Sequence, residues 1–316
     1  MNTLYITQEN CTLHSSGNHL RLTKVGAELS TIPLVDLCSI VLFESIRVTA
    51  PALDLMLSNG VDLIYLTKWG KLKGRIMSAK GGGALLRLAQ HSAFLNPERR
   101  LDLSKSIVAA KIQNQTSIIQ RYQYNNSVHE FDFHLKSLSE LIIKLESATT
   151  LEEIMGIEGI SARYYWEAFR YFLKSPVFKR REYRPSPDYV NALLNLGYSF
   201  LANEIGTCLL AHNFDIEIGF LHSIRHGRNS LVLDLMEEFR APFIDSWLLV
   251  LLNKKQIKED HFHMENNAFR LTADGFKKFC TLYHEHVGSW RSLFQDQSNR
   301  LKDALLKGGT YEPYRK

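Results

Sequence analysis

Three stretches of this sequence set an acid or a histidine inside an apolar frame. They are Gly156-Ile157-Glu158-Gly159, Gly219-Phe220-Leu221-His222, and Leu233-Asp234-Leu235-Met236-Glu237-Glu238-Phe239-Arg240. Carboxylates are seldom buried without a partner, so acids beside Ile157, Leu233, Leu235 and Phe239 call for a shared cation or for salt bridges. Asp234 and Glu237 are three residues apart, which puts both on one face of a helix. His222 lies just upstream, and Glu158 arrives from another element, flanked by glycines that let a backbone or DNA come close. Two carboxylates and one imidazole form an oxygen and nitrogen donor set of the kind that suits Mg²⁺ or Mn²⁺ rather than a thiolate zinc site. The competing reading is structural: the acids pair with Arg163, Arg225 and Arg240, and the histidine is simply satisfied in the core.

Cations surround these segments. Ser223-Ile224-Arg225-His226-Gly227-Arg228-Asn229 follows His222 directly and offers two guanidinium groups to phosphate oxygens. Lys179-Arg180-Arg181-Glu182-Tyr183-Arg184 interleaves four cations with an aromatic ring, a pattern that tracks a DNA backbone or forms a solvated connection ahead of Pro185 and Pro187. Other chemistries find no support. The glycines at 81–83 are not followed by the Lys-Ser/Thr of a phosphate loop. Cys11, Cys38, Cys208 and Cys280 are too scattered for a zinc ribbon or redox pair. No serine sits in a Gly-x-Ser-x-Gly elbow.

The elements that must position these residues fall into two classes. Short β-prone runs at Leu4–Ile6, His19–Leu22, Leu37–Phe43 and Val61–Leu66 punctuate the start of the chain, with Ser16-Gly17-Asn18 as a hairpin turn. One helix interrupts them, capped by Thr49, begun by Pro51 and stopped at Asn59-Gly60. Lys80 to Gly83 and Asn96-Pro97 read as breaks. Beyond them, apolar residues three or four apart at 107–114, 131–145 and 189–210 predict long helices. The expectation is an α+β protein: a β-rich domain at 1–80, a linker at 81–100 and a helical catalytic domain at 101–316. The net charge of +5 permits a nucleic-acid partner, and 45% hydrophobic residues suit folded cores. No apolar run is long enough for a membrane span and no signal peptide opens the chain, so a cytoplasmic location is expected.

Taken together, the three acidic and histidine segments resemble those of the CRISPR-associated protein-one family, the integrases and endonucleases that insert new spacers in antiviral defence. Glu158 matches its Gly-x-Glu-Gly segment. His222 matches its histidine ahead of Arg-x-Gly-Arg-x-Ser, here respaced by His226, and Glu237 matches its Asp-Leu-x-Glu-x-Phe-Arg signature. Gly70 to Arg75, Lys111-Ile112-Gln113-Asn114-Gln115 and Asn191 to Tyr198 extend the likeness over the whole length. The resemblance implies Glu158, His222 and Glu237 as ligands of Mg²⁺ or Mn²⁺, with Asp234 a supporting catalytic residue. It implies transesterification by a DNA 3′-hydroxyl, a homodimer formed through the N-terminal domains, and CRISPR-associated protein two as partner. Candidate contacts to double-stranded DNA are Arg163, Lys179, Arg180, Arg181, Arg184, Arg225, Arg228 and Arg240.

Overall fold

Thr49 starts the first helix as its type predicts, because its side chain accepts the Ala52 N–H while Pro51 occupies the first turn. The helix ends at Asn59, and Gly60 takes a positive φ of 77° that favours glycine. A computed structural model describes residues 2–316, apart from 7, 9, 44, 68–71, 80–82, 126–130 and 175–176. The chain divides into two units, one of residues 1–89 with 206–215, the other of 90–205 with 216–316.

The first unit is β-rich. Its elements are β1 (Asn2–Ile6), β2 (Thr12–Ser16), β3 (His19–Lys24), β4 (Ala27–Pro33), β5 (Leu37–Phe43), β6 (Arg47–Val48), α1 (Ala50–Ser58), β7 (Asp62–Leu66) and β8 (Leu72–Ile76). One sheet runs β1-β5-β7-β8, with β1, β5 and β7 parallel; the other runs β4-β3-β2-β6. A parallel β5–β7 pair needs a crossover, and α1 supplies it. Leu13, Leu20 and Leu22 of the second sheet join Ile40, Leu42, Leu63 and Met56 in one core. Asp62, buried at the start of β7, accepts from the Ser78 N–H at 2.8 Å and pairs with Arg75.

The expected linker at 81–100 is instead largely helical. Helix α2 (Ala84–Leu95) buries Leu86, Gln90 and Ala93, and α3 (Pro97–Asn125) begins two residues later. Helix α2 is rich in apolar residues, but Leu85, Leu88 and Leu95 among them are exposed; Lys80, Gly81 and Gly82 lie outside the described residues, as does Gly70. Residues 206–215, expected in the helical domain, group with the β-rich unit, where Leu210 and Ala211 cover Val41, Ile64 and Leu66.

The second unit is helical: α4 (Asp132–Ser147), α5 (Leu151–Phe169), α6 (Tyr189–Ala211) as far as Ile205, α7 (Ser230–Phe239), α8 (Ser246–Asn253), a hairpin of β9 (Phe262–Glu265) and β10 (Ala268–Leu271), then α9 (Ala273–Val287) and α10 (Arg291–Lys307). Helix α3 contacts α4, α5 and α7. Between α7 and α8 the chain widens into a π-helical turn, Arg240–Asp245. Pro242 lacks the N–H of a regular turn, and the wider turn keeps the helix running past it. The whole is α+β, strands first and helices after, as the change of hydrophobic period predicts. Among the described residues no helix is long and apolar enough to cross a membrane.

Candidate active site

Helix α5 carries Glu158. Thr150 caps that helix by accepting the Glu153 N–H at 3.2 Å, and Glu153 accepts the Thr149 and Thr150 N–H groups in return. Glu158 then falls in the middle turns, facing α3. Gly156 and Gly159 point into open space, so no protein backbone uses the room they leave; that face of the helix is bare, with Met155 and Ile160 exposed beside it.

Helix α7 carries Asp234 and Glu237, and nine of its ten residues are buried. Asp234 is fully buried and accepts the N–H groups of Phe220, Leu221 and His222. Its Oδ1 also lies 2.6 Å from His222 Nδ1. Close approach of the loop to α7 requires Gly219, where a Cβ would meet Asp234 Oδ2 at 2.6 Å and the Ser230 carbonyl carbon at 2.7 Å. Arg100 donates to the Phe220 carbonyl and Gln90 to the Ile218 carbonyl, each at 2.8 Å, fixing the same loop from α3 and α2. Asp234 thus stands behind His222 rather than beside the reacting position. With Nδ1–H given to Asp234, Nε2 keeps its lone pair for a ligand.

Glu158 and Glu237 meet at Lys111. The buried ammonium from α3 bonds Glu158 and lies 2.7 Å from Glu237 Oε2, while Arg240 Nε donates to Glu237 Oε1 at 3.0 Å. Burial disfavours the charge on Glu237, but Arg240 and Lys111 outweigh it, with His222 adding to the pull, and the carboxyl drops to about 2. Burial likewise disfavours the Lys111 charge, yet Glu237 and Glu158 hold it above the ordinary lysine value. Lys111 is the residue that sequence reasoning missed as part of this centre; its only signal was membership of the Lys-x-x-Asn-Gln helix.

Two further layers support α7. Glu238, which its position alone sets off the face of Asp234 and Glu237, turns inward to accept from the Tyr311 hydroxyl at 2.6 Å and from the Tyr314 N–H; burial raises its carboxyl to about 8. Asn114 donates to the carbonyls of Glu238 and Tyr314, tying α3, α7 and the segment after α10 together. On the other side, Asp245 accepts from Tyr165 at 3.0 Å and from Tyr198, and burial raises it to about 6. Arg240 lies over the Tyr198 ring at 4.5 Å.

The candidate DNA contacts separate by placement. Arg163, Lys179, Arg180, Arg184 and Arg225 are exposed, and Arg228 is half-buried after the turn at Gly227, whose φ is 69°. Arg181 and Arg240 turn inward, onto protein partners. Arg181 donates to Asn191, Asn195 and the Glu182 carbonyl, and sits over Trp166 and Tyr198. Arg240 is spent on Glu237.

The donor set fits a hard divalent ion in type. Glu237 Oε2 is buried without a well-formed hydrogen bond, an acceptor of the sort a cation would satisfy. In spacing the site is set for a different cation: among the described residues no three acid, histidine or cysteine side chains converge closely enough to hold an ion, and the Lys111 ammonium lies between the two glutamates.

Comparison with known proteins gives a consistent result. Residues 4–285 match the family described as CRISPR associated protein Cas1. A CRISPR-associated endonuclease Cas1 of Thermus thermophilus is 32% identical, the match covering 98% of this chain and 96% of that protein. One of Rhodospirillum rubrum is 29% identical over 90% of this chain and 86% of its own length. The fold resembles that in a partial Cas6-RT-Cas1–Cas2 complex, with a TM-score of 0.81 at 20% identity over 100% of this chain and 99% of the other. It also resembles a casposase bound to integration product, at 0.79 and 22% over the full length of both. On its sequence this chain belongs to the Cas1 family.

Proposed function

We propose that the chain is a DNA endonuclease and integrase of CRISPR adaptation, joining the 3′-hydroxyl ends of captured DNA into the CRISPR repeat. The observation that carries the reading is the meeting of Glu158 from α5 and Glu237 from α7 at one buried cation, beside a histidine that Asp234 orients. The 3′-hydroxyl oxygen attacks phosphorus at the repeat edge, and the bond from phosphorus to the repeat strand's own 3′-oxygen breaks. The attacking hydroxyl loses its proton, and the expelled oxygen gains one. With water as nucleophile the same centre hydrolyses DNA.

Glu158, His222 and Glu237 would hold Mg²⁺ or Mn²⁺, which supplies Lewis-acid polarisation and neutralises charge on the phosphoryl oxygens. Arg240 and Lys111 beside Glu237 favour its ionised form, the form a ligand needs. Arg225, exposed, and Arg228, half-buried, lie in the segment after His222 and would add electrostatic stabilisation to phosphate oxygens. Exposed Lys179, Arg180 and Arg184 follow the DNA backbone. By family, the chain forms a homodimer through its β-rich part and assembles with CRISPR-associated protein two. The likeness to a chain solved in a Cas1–Cas2 assembly supports protein two as partner, and the likeness to a casposase holding an integration product supports DNA.

The test uses Mn²⁺ or Mg²⁺, protein two, a short duplex and a plasmid bearing the cognate repeat. Intact 3′ ends should join, and dideoxy-terminated ends should bind without joining. Cleavage alone from intact ends would leave a nuclease and remove the integrase reading.

A further inference from the structure

Two carboxylates, Glu158 and Glu237, already face two fixed cations, Lys111 and Arg240, so the centre is electrically balanced before any metal enters. A divalent ion placed beside both cations would meet strong repulsion at short range in a poorly solvated pocket. The Lys111 ammonium also takes the space between the two carboxylates, bonding one and lying 2.7 Å from the other. Its stem is buried in α3, a helix held on three sides by α4, α5 and α7, so the ammonium is built into the site rather than borrowed from the surface. A cation of this kind prevents two close carboxylates from repelling each other when no metal is present.

We propose that Lys111 is an internal surrogate for the metal, pairing Glu158 with Glu237 in the metal-free protein and giving way to the divalent ion when it binds. This rests on the metal reading of the site given above. Metal uptake is then an ion exchange, and its affinity is set by competition with Lys111 as well as by the ligands. The protein keeps a folded, preassembled centre without metal, at the cost of weaker metal affinity than the same ligands would have alone.

The experiment is Mn²⁺ binding to the full chain, read from the free-ion paramagnetic resonance signal, together with thermal melts with and without Mn²⁺. Lys111→Met removes the charge and keeps the stem. Its Mn²⁺ affinity should be roughly tenfold tighter than wild type. Its metal-free midpoint should fall on the order of ten degrees, with saturating Mn²⁺ recovering most of the loss. Lys111→Arg retains a cation and should bind Mn²⁺ no more tightly than wild type. Unchanged or weaker binding by a folded Lys111→Met would overturn the inference, as would tighter binding by Lys111→Arg. If Lys111→Met does not fold alone, Mn²⁺ should restore a cooperative melt, and failure to do so would make Lys111 an ordinary structural cation. If neither wild type nor variant binds Mn²⁺, the metal reading itself falls, an outcome distinct from the others.

Discussion

Asp234 lies directly behind His222, its Oδ1 2.6 Å from the ring Nδ1, while the same carboxylate gathers the three successive N–H groups of Phe220, Leu221 and His222. One buried side chain therefore sets both the tautomer of the imidazole and the path of the loop that carries it. Asparagine has nearly the same shape but turns an N–H₂ toward these donors. Asp234→Asn should lower Mn²⁺ affinity between about ten- and a hundredfold and stability by about 3 kcal/mol. Calorimetric binding and urea unfolding would check this, and wild-type values for both would reduce Asp234 to a bystander.

Glu158 and Glu237 meet at the same ammonium but differ in what their loss does to the fold. Glu237 is almost wholly buried and neutralises Arg240 as well as Lys111, whereas Glu158 is partly exposed and, among the described residues, forms an ion pair only with Lys111. Both alanine variants should lose strand transfer. Glu237→Ala should also cost about 3 kcal/mol or more because it strands buried cations, and Glu158→Ala about 1 kcal/mol. Equal melting temperatures for the two variants would contradict the placement of Arg240.

How far this site could be read beforehand depends on the distance over which each residue finds its partner. Asp234 and Glu237 are three residues apart on one helix, so spacing alone pairs them, and His222 lies only a short connection upstream. Lys111 looked like an ordinary helix cation, because its partners lie 47 and 126 residues further on and only packing brings them together. Glu238 points off the face shared by Asp234 and Glu237, and Tyr311 and Tyr314, which receive it, are remote in sequence. The fold follows the same rule. Helix α1 announces itself with a cap, a proline and a glycine, whereas β4, exposed along nearly all its length, has no alternation to show.

Two buried acids should make the protein less stable as pH rises. Asp245 at about 6 and Glu238 at about 8 hold protons in the folded chain that an unfolded chain gives up in the ordinary carboxylate range. The native state therefore binds more protons than the unfolded one, and stability falls from about pH 5 through pH 8. The loss should total a few kcal/mol, on the order of 1.4 kcal/mol for each unit of displacement before relaxation reduces it. Glu238→Gln mimics the protonated acid: it should sit within about 1 kcal/mol of wild type at pH 7 and exceed it at pH 9. Denaturant midpoints across this range provide the measurement, and a wild-type stability that rises between pH 6 and 8.5 would refute the assignment.

Arg180 and Arg181 are neighbours with opposite roles. Arg180 is exposed and, among the described residues, forms an ion pair only with Glu182, while Arg181 bonds Asn191 and Asn195 on α6 and lies over two aromatic rings. Replacing Lys179 and Arg180 with alanine should leave the melt unchanged and weaken binding equally to unrelated duplexes. The slope of log affinity against log salt should fall by about one for each phosphate contact removed. Arg181→Ala should instead cost about 2 kcal/mol of stability, because it removes hydrogen bonds to Asn191 and Asn195 and a stem packed on Trp166 and Tyr198. Its salt slope should stay at the wild-type value under conditions where the variant is folded. A reduced slope for Arg181→Ala would mean that the guanidinium swings outward when DNA arrives, and the inward placement would then describe only the DNA-free protein.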